Sequence, residues 1–358
     1  MPGMSTGTQS SGFVVTLFYI ALITALVVFA NLLLVARPWV RRNLTGTSPQ
    51  NDNVSRLRNT LAYWLGALWL FDGLLQMQPQ MVTRFIGGVL APLLTGQPTA
   101  VRMVIETGIR LWSLSPLWFN VAAVLVQIAI GVSLLFSQDG SPIRRYALWV
   151  SIGWGLVVWT GGEAFGSLFA GGGPLVGSPG SAILYVVAAV LLLLPPSRWI
   201  RPSFWRYIAD GTAGFFMLMA FLAAWPPNGW WTRSGASWMA TMASMPQPGV
   251  LARPLLLAAH SYGAHPVAWN GAITATTLLL ACGWFFRPGR LVLWVSVIWA
   301  LFMWYVGQDF GVLGGMGTDP NTGGILLVYL LIWRRHLRSG RPDAVAADAP
   351  PEPLRHLP

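Results

Sequence analysis

Lysine is absent from this chain, and all 22 of its basic residues are arginine. Cysteine occurs once, at Cys282, which excludes an intramolecular disulfide and any thiolate metal centre. Histidine occurs four times with no intramembrane pair placed to ligate haem in a bundle, which argues against a multihaem subunit. There is no Walker motif, no HExxH and no GxSxG, so the familiar nucleotide, zinc-protease and serine-hydrolase chemistries have no footing. Charge itself is scarce: charged residues make up 9% of the chain and hydrophobic ones 54%. That leaves too little polar surface to wrap a soluble chain of 358 residues.

What is present is apolar sequence in lengths that cross a bilayer. Runs of roughly 17 to 24 residues suit a hydrocarbon core of ~30 Å. Nine are expected, at about 13–36, 60–77, 117–136, 146–162, 181–196, 211–225, 267–286, 291–307 and 323–334. The fold class expected is an all-α, polytopic membrane helix bundle. The net charge of +11 does not point to nucleic acid, because the arginines follow the spans. Arg37, Arg41, Arg42, Arg56 and Arg58 follow the first, Arg144 and Arg145 the third, Arg198, Arg201 and Arg206 the fifth, Arg287 and Arg290 the seventh. Arg334, Arg335, Arg338 and Arg341 follow the ninth. With nine spans these loops share one side, which the positive-inside rule makes cytoplasmic. The expectation is a multi-pass protein of a bacterial cytoplasmic membrane, N-terminus outside and C-terminus inside, with the lipid bilayer as its partner and no nucleic acid. The first span is twice the length of a signal-peptide core and lacks basic residues before it, so it reads as an anchor.

Internal repetition is the strongest signal. "RYALWVSIGWGLVVWTGGEAFG" (145–166) and "RLVLWVSVIWALFMWYVGQDFG" (290–311) agree at 11 of 22 positions without a gap. Upstream, Gln97-Pro98 falls on Gln247-Pro248, Pro116 on Pro266, Asn120 on Asn270 and Phe136 on Phe286. The repetition divides the chain into an N-terminal transmembrane helix and Arg-rich linker (1–55), two four-helix units (56–196 and 197–338) and a disordered cytoplasmic tail (339–358). An even number of crossings keeps both units in one orientation, so the pseudo-twofold runs along the membrane normal. Their Gly-rich outer loops are expected side by side. The outer segments 78–116 and 226–266 are each split by Gln-Pro and read as pairs of short helices in the outer leaflet.

Within this frame the few polar residues stand out. Glu163 and the paired positions Gln308 and Asp309 end the fourth and eighth spans, each followed by Phe-Gly. Asp72 lies inside the second span with no acidic counterpart in the other unit. Ionisable groups at membrane depth are costly, and are functional when they face a bundle interior. These four form the candidate polar or proton site, with Arg84 or Arg110 as potential partners for Asp72; hydrated helix-end acids and an interhelical hydrogen bond are the simpler alternatives. Arg110, His260 and His265 are secondary candidates, His260 overlying Arg110 between the units. Met239, Met242 and Met245 share a helix face in the soft-ligand pattern that suits Cu(I), although methionine is equally a core filler.

The four-helix unit, with its outside segment after the first helix and the following helix "FNVAAVLVQIAIGVSLLF", resembles the DoxX/DoxD-like group of small bacterial membrane proteins, here in tandem. The resemblance implies a membrane redox setting such as that of thiosulfate:quinone oxidoreductase, hence a quinone-linked complex and a soluble or membrane redox partner carrying the electron chemistry. It transfers no catalytic residues. A small-solute or ion permease with an outward-facing site is the competing expectation, and a structural or assembly role a third. Transport needs polar groups on the cytoplasmic half of the spans, where only Ser151, Ser296, Thr274, Thr276 and Thr277 occur.

Overall fold

A computed structural model describes residues 49–311 and 317–339. The expected first span at 13–36, most of the linker and the tail lie outside the described residues. Helices account for the described fold, with no strand among the described residues. Eleven are longer than two turns: α1 (Pro49–Gln76), α2 (Thr99–Leu114), α3 (Pro116–Phe136), α4 (Pro142–Val157), α5 (Ser181–Leu193), α6 (Pro202–Ala224), α7 (Ser234–Ser244), α8 (Gly249–Ala264), α9 (Pro266–Phe286), α10 (Arg290–Val306) and α11 (Asn321–Ser339).

Proline sets many of the starts. Pro116, Pro142, Pro202 and Pro266 each open a helix, where the missing N–H is not needed and the fixed φ already suits the first turn. Ser141 adds a cap to α4, its hydroxyl accepting from the Arg144 backbone N–H.

Among the described residues three helices, α3, α6 and α9, are long and apolar enough to cross a membrane; α5 and α10 are apolar but shorter, at 13 and 17 residues. Several helices run past the apolar stretches that mark them in sequence: α1 starts at Pro49 rather than near 60, and α11 runs on to Ser339. Hydropathy marks where a helix is oily, whereas backbone hydrogen bonding carries it on through polar turns.

Packing repeats with the sequence. α1 lies along α3 and α6 along α9, while α4 pairs with α5 and α10 with α11. Asn120 donates to the Gln76 carbonyl at the end of α1, and Asn270 to the Ala223 carbonyl at the end of α6. Trp69 donates to Ser151 and Trp284 to Ser296. Between the main helices, the segments after α1 and α6 carry the expected short helices, broken at Gln97-Pro98 and Gln247-Pro248. Outward faces stay apolar: Leu125, Leu279 and Ile298 are 61%, 72% and 67% exposed. Such surface is unusual for a protein bathed in water.

Candidate functional site

Both Gly-rich loops begin with the same device. Past Val157 the α4 backbone widens into a π-turn, Glu163 N–H donating to the Val158 carbonyl, and the chain then bends through left-handed conformations at Ala164, Phe165, Gly166 and Ser167. The second copy bends likewise at Asp309, Phe310 and Gly311. Glycine is required at the pivots: a Cβ on Gly166 would lie 1.8 Å from the Pro179 carbonyl oxygen, and one on Gly311 2.4 Å from that of Asp319. Trp159 and Trp304 lock the two turns by donating to the carbonyls of Pro179 and Pro320.

This bend aims Glu163 at the start of α5. Its Oε1 accepts from the Ser181 and Ala182 N–H groups at 3.2 and 3.1 Å and from the Ser181 hydroxyl at 2.6 Å. The Ser181 hydroxyl also lies 2.8 Å from Asp319 Oδ1, which itself accepts from the Asn321 N–H at 2.6 Å. One hydroxyl carries one proton and cannot donate to two carboxylates at once. Both contacts are satisfied as hydrogen bonds only when Glu163 or Asp319 carries a second proton. Burial, and then the Asp319 charge, push Glu163 up to about 8; burial pushes Asp319 up as well.

Behind this pair lies a chamber of about 150 Å³. Asp72, 2% exposed, faces it together with Gln76, Gln127 and Tyr185, between Trp69, Trp112 and Trp154. Four buried polar atoms on its walls lack a hydrogen-bond partner: Gln127 Oε1, Glu163 Oε2, Trp112 Nε1 and Trp154 Nε1. The Tyr185 hydroxyl is the hydrogen-bonding neighbour of the Asp72 carboxyl. Unsatisfied groups at this density call for a polar occupant. The volume has room for several waters. On the far side of Glu163 and Asp319, a cleft of about 1040 Å³ is lined by both Gly-rich loops and by Asn228, Trp230 and Arg233. The carboxylate pair thus forms the wall shared by cleft and chamber.

The second copy holds the same frame without the chemistry. Gln308 takes the place of Glu163, its Oε1 accepting from the Gly323 N–H at 3.1 Å. The matched Asn120 and Asn270 anchors set Met219 opposite Asp72, and the matched Pro179 and Pro320 set Leu326 opposite Tyr185 and Ser178 opposite Asp319. These residues close on a void of about 20 Å³, room for a single water.

Of the residues singled out in sequence, Asp72 and Glu163 meet in one chamber. Gln308 and Asp309 are buried on the second copy's side, and Asp309 accepts from Gln247 at 2.8 Å instead of joining Glu163. Arg84, Arg110, His260 and His265 are exposed, and neither arginine forms a salt bridge with Asp72. Met239 is fully buried in the core formed by Trp230, Leu255 and Tyr262, with Met242 half-buried on the same helix and Met245 half-buried just past its end. No grouping of three or more His, Cys, Asp or Glu side chains fit to hold a metal occurs among the described residues. Asp319, Gln127 and Tyr185 escaped the sequence reading. The only trace of Asp319 was "DPNT" lying on "SPGS" of the other unit.

Comparison with protein-family models, curated proteins and solved structures yields no match.

Proposed function

We propose that this chain is a multi-pass membrane protein that holds and passes protons at the Asp72–Glu163–Asp319 chamber, serving as a subunit of a redox or accessory complex. The proposed topology is the nine-span one, with the Gly-rich loops outside and the arginine turns in the cytoplasm. The carrying observation is Ser181, whose one hydroxyl sits between two carboxylates at 2.6 and 2.8 Å. A water-filled chamber linking Asp72 to that pair, and the pair to the large cleft, makes a short route for protons between the bundle interior and the outer face. Comparison of the two copies supports a functional origin for the acids. Gln308 caps its helix without charge, so the fold does not require a carboxylate at Glu163. The DoxX/DoxD-like resemblance favours a redox partner, with quinone as the linked electron carrier. A permease for a small solute is favoured by one observation, the size of the cleft leading to the chamber.

Difference infrared spectroscopy on the protein in nanodiscs tests the reading. The expected result is a protonated-carboxyl C=O band at neutral pH that disappears on titration through about 8 and is lost in Glu163→Gln. Absence of that band in the native protein would remove the proton-handling role. Co-purification in mild detergent separates the settings: redox subunits and quinone support the complex, and a bare chain with solute uptake supports the permease.

A further inference from the structure

A second cavity, remote from the carboxylates, lies on the flank of the bundle where α5 of one copy meets α6 and α11 of the other. It is a groove of about 450 Å³, apolar along its length, with no acidic residue in its lining. It follows α5 from Leu184 to Leu194, and there the chain turns through Arg198 and Arg201, which stand at its end. Ten residues of helix at ~1.5 Å each span about 15 Å. That is about half of a ~30 Å hydrocarbon core, the depth of one leaflet. Both arginines are exposed and neither forms a salt bridge among the described residues. On the opposite wall, Gly211 leaves open space where a side chain would project.

We infer that this groove is a binding site for an anionic phospholipid of the leaflet on the arginine-rich side. An acyl chain lies along α5 and α6, and the headgroup phosphate sits between the Arg198 and Arg201 guanidiniums. The dimensions match a lipid rather than a soluble ligand, because an apolar trough one leaflet deep ends in positive charge where headgroups begin. The two guanidiniums select anionic over zwitterionic headgroups. This site rests on the membrane reading but not on the proton-handling one.

Native mass spectrometry of the full chain, released from nanodiscs containing equal phosphatidylglycerol and phosphatidylcholine, tests it. The expected result is retained phosphatidylglycerol, with a preference on the order of tenfold that is lost in Arg198→Gln/Arg201→Gln. Gly211→Leu, whose Cβ meets nothing within 4 Å and whose side chain would occupy the trough, is expected to reduce retention of both lipids. Arg287→Gln/Arg290→Gln, at a turn away from the groove, leaves the preference intact. Equal retention of the two lipids, or a preference unchanged by both the arginine and the Gly211 substitutions, overturns the site. Failure of the chain to enter nanodiscs at all would instead overturn the membrane reading.

Discussion

Ser181 concentrates the chemistry of this protein in one atom. Its hydroxyl cannot satisfy Glu163 and Asp319 together unless one of them is protonated, and burial supplies the reason that a proton stays. A measurable consequence is the pH dependence of stability. The folded chain holds the Glu163 proton more tightly than an unfolded chain does, so this contribution is complete below the ordinary glutamate range. It declines as pH climbs from there to about 8. Melting temperatures in detergent are expected to fall across that window for the native protein and to fall less for Glu163→Gln. Equal slopes would mean that Glu163 is ionised throughout. Glu163 and Asp72 were legible in the sequence because charge is rare in it. Asp319 was not, since an Asp-Pro in a loop is an ordinary turn until Ser181 is seen beside it.

At the scale of elements, two devices hold the helices in register. At the end of the bundle away from the chamber, Arg58 on α1 pairs with Asp139 through Nε and Nη2 at 2.8 and 3.0 Å and donates to the Leu192 and Leu194 carbonyls that close α5. Arg144 joins them, 3.6 Å from Asp139. Burial acts to raise the Asp139 carboxyl, but the hydrogen bonds and charge of Arg58, with Arg144, outweigh it and leave it below the usual carboxylate range. Stability from this cluster is therefore present above the ordinary aspartate range and lost as pH falls. Arg58→Ala leaves a half-buried acid with Arg144 alone and frees two helix-end carbonyls, and is expected to cost about 3 kcal/mol, read as a lowered melting temperature. The other device is the left-handed turn. Gly166→Ala drives a methyl into the Pro179 carbonyl and is expected to destabilise by about 3 kcal/mol or more, with loss of the Glu163 contact to α5. The starts at Pro116 and Pro266 fall within a residue of the expected 117 and 267, whereas Pro49 and Pro202 open their helices well before the expected 60 and 211. The left-handed turns were not readable from the sequence, because Phe and Ala are residues that rarely adopt that geometry.

For the whole molecule, the decisive property is asymmetry between two similar halves. One copy keeps a polar chamber of about 150 Å³, the other a packed void of about 20 Å³ built on the same turns and anchors. Writing the second copy's residues into the first therefore tests which part is frame and which is chemistry. Asp72→Met/Glu163→Gln/Tyr185→Leu is expected to fold, to melt at or above the native temperature, and to lose the protonated-carboxyl infrared band. Unfolding of this variant would show that the acids are structural. The expected gain in stability follows from removing two buried acids, one of which, Glu163, has its Oε2 without a partner.

The sequence by itself determined the helical class, the scarcity of charge, the internal repeat and the isolation of two acids, because hydropathy, composition and self-similarity are local properties of a chain. Only the tertiary structure decided that Asp72, Glu163 and Asp319 share one small space while Asp309, Arg110 and His260 do not. Those three acids are far apart along the chain, and nothing short of helix packing fixes the distance between them. The same packing decided that one half is hollow and the other full, since a void is a property of how side chains from several helices meet and belongs to no single one of them.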